Sequence, residues 1–84
     1  MTYGNINNIA TARIRAVMAA QNIPVAKVAE VWHQSVDMAS RRINGTVELK
    51  LGEIDAFAAN TGYKTIDFLA DRFEIKMPAL ADVA

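Results

Sequence analysis

An all-α fold of five short helices is what this sequence predicts, and three observations carry that expectation. Apolar residues recur at three- and four-residue steps over most of the chain, the mark of helices with one buried face. Turn-forming residues, Pro24, Gly45 and Gly62, punctuate the chain at short intervals. The connections they leave are too short for anything but neighbouring helices packed into one compact unit.

The first helix is marked by Ile6, Ile9, Ala10, Ile14, Val17 and Met18, read as one buried face, with the Asn5, Asn7 and Asn8 cluster as a cap ahead of it. It should stop near Gln21 and Asn22, because Pro24 disfavours helical geometry in the residue before it. Pro24 suits the first turn of a second helix, where a missing N–H costs nothing. Val25, Val28, Ala29 and Trp32 give that helix its apolar stripe. Ser35 is placed to cap a third helix over Val36 to Asn44, with Asp37 in the first turn where the helix dipole favours negative charge and Gly45 just past the end. Leu51, Ile54, Phe57 and Ala58 mark a fourth helix that ends before Gly62, and Thr65 caps a last helical turn or two carrying Ile66, Phe68 and Leu69. Residues 72–77 then alternate polar and apolar, the pattern of a short half-buried strand closed by Pro78. The organisation expected is one domain over 1–71 and a tail over 72–84.

Composition narrows the function. Eighty-four residues with 52% hydrophobic content make one small domain. No cysteine is present, which leaves neither disulfides nor thiolate metal sites and suits a reducing cytoplasm. Apolar runs fall short of the roughly 18 residues that span a bilayer, and Met1 to Asn8 lack the basic start and apolar stretch of a signal peptide. A cytoplasmic location with no membrane partner is therefore expected. No nucleophile–His–acid set, Gly-rich phosphate loop or metal-ligand spacing occurs, so no catalytic residue, metal or cofactor is assigned. Asp55, Asp67 and Asp71 read as solvated, and Trp32 and the methionines as core or dimer contacts.

The formal net charge is zero, but it is unevenly spread. Residues 1–50 carry Arg13, Arg15, Lys27, Arg41, Arg42 and Lys50 against Glu30, Asp37 and Glu48, a net of +3. Residues 51–84 carry Lys64, Arg72 and Lys76 against Glu53, Asp55, Asp67, Asp71, Glu74 and Asp82, a net of −3. Such polarity lets one face meet phosphate while the other points away. Two short helices joined by about three residues, the second polar and basic, match the helix-turn-helix pattern. Ala29 supplies the small inner face that lets the second helix cross closely.

At these residues the chain resembles the lambda-repressor-like (Cro/repressor, Xre-type) helix-turn-helix family. The resemblance covers roughly residues 9–70 and rests on Val28-Ala29-Glu30, on Ser40-Arg41-Arg42-Ile43-Asn44-Gly45, and on Glu53-Ile54-Asp55-Ala56-Phe57-Ala58 ahead of Thr61-Gly62. It departs from the family at the turn, where His33 stands in place of the usual Gly, and at Ala39, an inward position usually Ile or Val. Met18 and Ile43 replace together an Arg and a Glu that often pair in the family, the kind of joint exchange a core tolerates.

The resemblance implies sequence-specific binding of double-stranded DNA, with the 36–44 helix in the major groove. Base contacts are implied for Ser35, Val36, Asp37, Ser40 and Arg41. Arg41 suits guanine O6 and N7, Asp37 a cytosine amino group, and Val36 a thymine methyl; Asp37 equally suits a helix-dipole residue paired at i,i+4 with Arg41. Phosphate contacts are expected from Lys27, Arg42, Asn44, Gly45 and Lys50. The function implied is a Cro-like transcriptional repressor of phage or prophage type, acting in a bacterial or phage-infected host cell without a small-molecule effector. An antitoxin or antirepressor of the same fold, binding protein, is the alternative. Phe73, Ile75 and Met77 are expected to pair two copies into a homodimer on a palindromic operator, the alternatives being a disordered tail or one folded back on its own domain.

Overall fold

The computed structural model describes residues 2–76, with side chains from Ile6 onward. Four α-helices, α1 (Thr2–Gln21), α2 (Val25–Trp32), α3 (Val36–Ile43) and α4 (Leu51–Thr61), are followed by one 3₁₀ turn at Thr65–Phe68. The architecture is all-helical, with four α-helices where five were expected. The four residues 65–68 are too few to repay α-helix nucleation, and the tighter i→i+3 bonding suffices. Asp67 Oδ2 accepts the Lys64 N–H at 2.9 Å and starts that turn.

Each α-helix stops on a left-handed residue. Asn22 (φ 56°), His33 (φ 55°), Gly45 (φ 87°) and Gly62 (φ 87°) follow α1 to α4 in order. At α3 the Thr46 N–H returns to the Arg41 carbonyl at 2.9 Å and the Gly45 N–H to that of Arg42 at 3.2 Å, the paired bonds of a Schellman ending. The same pair closes α2, with Gln34 N–H on Ala29 O at 2.9 Å and His33 N–H on Glu30 O at 3.2 Å. His33 therefore does hold the backbone shape that its position in place of Gly demanded. We expect His33→Gly to leave stability unchanged or raise it by less than about 1 kcal/mol, since relief of left-handed strain is partly offset by the greater freedom of Gly when unfolded. A clear fall in Tm would show that the imidazole itself holds the turn.

Helix starts agree in part. Ser35 caps α3 as expected, its Oγ accepting the Met38 N–H at 3.1 Å. Pro24 sits one place earlier than expected, as the extended cap residue before α2 rather than inside its first turn. The asparagine cap of α1 is corrected: the helix begins at Thr2, and Asn7 and Asn8 lie within it. Asn7 instead turns its Oδ1 to the Leu49 N–H at 2.9 Å, tying α1 to the loop before α4.

The core contains Ala10, Ile14 and Val17 of α1, Val28, Ala29 and Trp32 of α2, Ala39 and Ile43 of α3, and Ile54, Phe57 and Ala58 of α4, closed by Tyr63 and Phe68. Ala29 and Ala39 are both buried, which allows α2 and α3 to pack closely. Trp32 satisfies its indole N–H on the Glu53 carbonyl at 2.8 Å. The buried face of α1 is shorter than its pattern suggested. Ile6 (58% exposed) and Ile9 (42%) lie outside it, because the core begins only at Ala10. Ile6 edges an open depression shared with Asn7, Ala10, Glu48, Leu49 and Ile54.

The tail also departs from expectation. Residues 72–76 form no strand. Phe73 packs in its own domain, stacked on Tyr63 with centroids 5.7 Å apart and tilted against Phe68 at 5.6 Å. Arg13 lies over the same ring at 5.2 Å and donates to the carbonyls of Asp67 (3.0 Å), Ala70 and Asp71 (3.3 Å). The Lys76 N–H reaches the Tyr63 hydroxyl at 2.7 Å. Within the chain, the apolar side of this segment is folded back on aromatic residues of its own domain. Ile75 is also part-buried against the core, while Met77 lies outside the described residues. Phe73→Ala should accordingly destabilise the isolated chain by about 2 kcal/mol, read by urea unfolding at concentrations where sedimentation shows a monomer.

Candidate functional site

α3 is the element on which the expected site residues converge. Its inner side is fixed by Ala39 and Ile43, both buried. Successive residues turn about 100° around the axis, so Asp37, Arg41 and Asn44 lie opposite that pair, Ser40 lies on the flank, and Ser35 and Val36 lie at the start of the helix on the side of the buried pair. The exposures agree: Ser35, Val36, Asp37, Arg41 and Asn44 are exposed and Ser40 half-exposed. Of the five candidates for base contact, Asp37 and Arg41 therefore face away from the core, Ser35 and Val36 are exposed at the start of the helix, and Ser40 lies between them.

Two of these side chains are already engaged with each other. Arg41 Nε lies 3.1 Å from Asp37 Oδ2 across one helical turn. Ser35 Oγ serves the cap, and Ser40 Oγ accepts from Asn44 Nδ2 at 3.4 Å. Among the described residues Arg41 makes no hydrogen bond through its Nη atoms, which leaves the outer edge of its guanidinium to solvent. Val36 is about half exposed.

The five candidates for phosphate contact divide. Asn44 and Gly45 form the end of α3, and Lys50 is an exposed residue preceding α4 whose side chain has no ion-pair partner among the described residues. Lys27 is exposed on α2 and pairs with Glu30 at 3.2 Å. Arg42 is corrected. Its side chain is only 12% exposed, with Nε 3.0 Å from Glu53 Oε2 and Nη1 on the Glu48 carbonyl. The residue next to Arg41 turns inward because α3 rotates its side chain toward α4, where a buried carboxylate meets it.

The expected charge polarity is weakened for the same reason. Of the basic residues in the first half, Arg42 is paired in the interior, Arg13 is half-buried against Phe73 and backbone carbonyls, and Arg15 donates to the Ile43 carbonyl at 2.7 Å. Arg15 nonetheless remains exposed and holds its charge at the end of α3, beside Asn44 and Gly45. It was not foreseen as a site residue, and no local signal marks it, since the contact joins residues 28 apart in sequence.

Glu53 is the other residue that sequence reasoning missed. Its Oε1 accepts the Lys50 N–H at 2.8 Å, and its Oε2 takes Gln34 Nε2 and faces Arg42 Nε. The Arg42 Nε–H is not aimed along a hydrogen bond, so that contact is chiefly charge on charge. One carboxylate thereby joins the end of α2, the inner side of α3 and the start of α4. The available signal was an acidic residue at the third position of a helix, where it caps the backbone.

Among the described residues no helix is long and apolar enough to cross a membrane, and no group of three or more His, Cys, Asp or Glu is arranged to hold a metal ion. No protein family, curated protein or solved structure matches the chain.

Proposed function

We propose that the chain binds double-stranded DNA in a sequence-specific manner, as a lambda-repressor-like helix-turn-helix domain that lays α3 in the major groove. The observation that carries this reading is the exposed part of α3, with Ser35 and Val36 at its start and Asp37 and Arg41 facing away from the buried anchors Ala39 and Ile43, Ser40 being half-exposed between them. Eight residues span about 12 Å, comparable to the width of the major groove. α2 and α3 are joined through the left-handed His33, a short turn of the kind that sets such helix pairs.

In this reading Arg41, with Asp37 paired to it, meets a base edge, Val36 meets a thymine methyl, and the end of α3 with Lys50, Lys27 and Arg15 meets phosphates. The role is repression by occupying operator DNA, Cro-like and of phage or prophage type, in a bacterial or phage-infected cell, without cofactor or effector. Two copies on a twofold axis would read half-sites about 34 Å apart, and the symmetry of selected sites measures this.

Few basic groups are free for phosphate, so the salt dependence should be shallow for a DNA binder. We expect log K against log[salt] to fall with a slope of about −2 to −3 per chain. Selection of duplexes from a random pool, followed by titration at several salt concentrations, tests the reading. No retention at low salt, or retention without an enriched motif, would sink it.

A second reading keeps the fold and gives it a protein partner, as an antitoxin or antirepressor. Ile6 and Ile9, exposed on one end of α1, favour it. Substituting both with Ser should leave DNA binding intact under the first reading.

A further inference from the structure

Resting on the reading of α3 as the DNA-facing helix, we propose that Asp37 is a positioning residue for Arg41. It aims the guanidinium so that the pair reads a guanine in one strand of the duplex. Asp37 Oδ2 lies 3.1 Å from Arg41 Nε, an ion pair held by charge across one helical turn rather than by a directed hydrogen bond. A carboxylate on the Nε side leaves the two Nη groups as a free outer edge. Two donors in a fixed plane match the two acceptors, O6 and N7, that guanine alone presents as a pair in the major groove. An arginine without that tether samples many rotamers and can turn as readily to a phosphate as to a base.

The pair has little other work to do. Both side chains are more than half exposed, 56% for Arg41 and 76% for Asp37, and exposed i,i+4 pairs add little to fold stability. A carboxylate on a face that meets phosphates also repels them, so Asp37 lowers affinity for DNA of arbitrary sequence. Once the groove excludes water, the same carboxylate acts more strongly on Arg41 than it does in the free protein. The carboxylate therefore trades non-specific affinity for base discrimination.

The test is equilibrium binding of the wild type, Asp37→Ala, Asp37→Asn, Arg41→Ala and the Asp37→Ala/Arg41→Ala double variant. The probes are the selected site, its single-base-pair variants and unrelated duplex DNA. We expect Asp37→Ala to lower the preference for G·C at one position about fivefold, a fraction of what a good bidentate contact contributes, while binding unrelated DNA more tightly. Asp37→Asn, which keeps an acceptor, should retain part of that preference. In the Arg41→Ala background, removing Asp37 should change no base preference. If Asp37→Ala tightened binding to all duplexes alike and left discrimination intact, Asp37 would be a repelling charge only and the proposal would fall. If the wild type itself bound without base preference, the DNA reading of α3 would fall first, which the same titrations distinguish.

Discussion

Glu53→Ala should cost about 3–5 kcal/mol of unfolding free energy, the range for a buried ion pair broken from one side. For a domain of this size that is a fall in Tm of at least roughly 12 °C. Glu53 is 8% exposed, and its loss would leave the nearly buried Arg42 guanidinium without its counter-charge. The Lys50 N–H and Gln34 amide would lose their acceptor as well. Glu53→Gln separates these costs, because it keeps an acceptor for the backbone but not the charge. Adding Arg42→Met to Glu53→Gln should then restore most of the stability, since an apolar side chain of similar reach replaces the stranded charge. Urea unfolding of the four chains checks this. A double variant no more stable than Glu53→Gln alone would show that the cost lies in capping and packing rather than in unpaired charge.

What the sequence made legible was local. Ser35, His33, Gly45 and Gly62 each act within a few residues of themselves, and each lies where turn and cap chemistry puts it. The outer side of α3 was legible for the same reason, because burying Ala39 and Ile43 determines which residues face away. Arg42 was not. Its direction depends on Glu53, eleven positions on in another helix, and a basic residue beside Arg41 looks in sequence like a second surface arginine. The tail was legible only in part. Strict alternation describes an extended chain with two different sides, whether the buried side meets a second copy or the domain's own Tyr63 and Phe68. Ile6 and Ile9 continue an apolar pattern past the point where the body of the protein ends, and periodicity alone carries no information about where that is.

The neighbouring arginines of α3 should therefore respond differently to the same substitution. Arg41→Ala is expected to cost about 1–3 kcal/mol on the preferred site and to relax the preference at one base pair, because a bidentate contact to guanine carries both affinity and information. Its effect on unfolding should be small, since its partner Asp37 is exposed and is rehydrated when the arginine is removed. Arg42→Ala should do the reverse, lowering stability by stranding Glu53 while leaving base preference intact in the fraction that folds. Lys50→Ala supplies the third signature: weaker binding to every sequence, and a salt slope shallower by about one unit. Titrating the three variants on the selected site and on unrelated DNA, beside urea unfolding of each, separates base reading, packing and phosphate contact. Arg41 carries the greatest weight, because its contribution is the one that neither fold stability nor bulk charge can imitate. An Arg41→Ala chain that kept both its affinity and its motif would remove α3 from the groove, whatever the other two variants did.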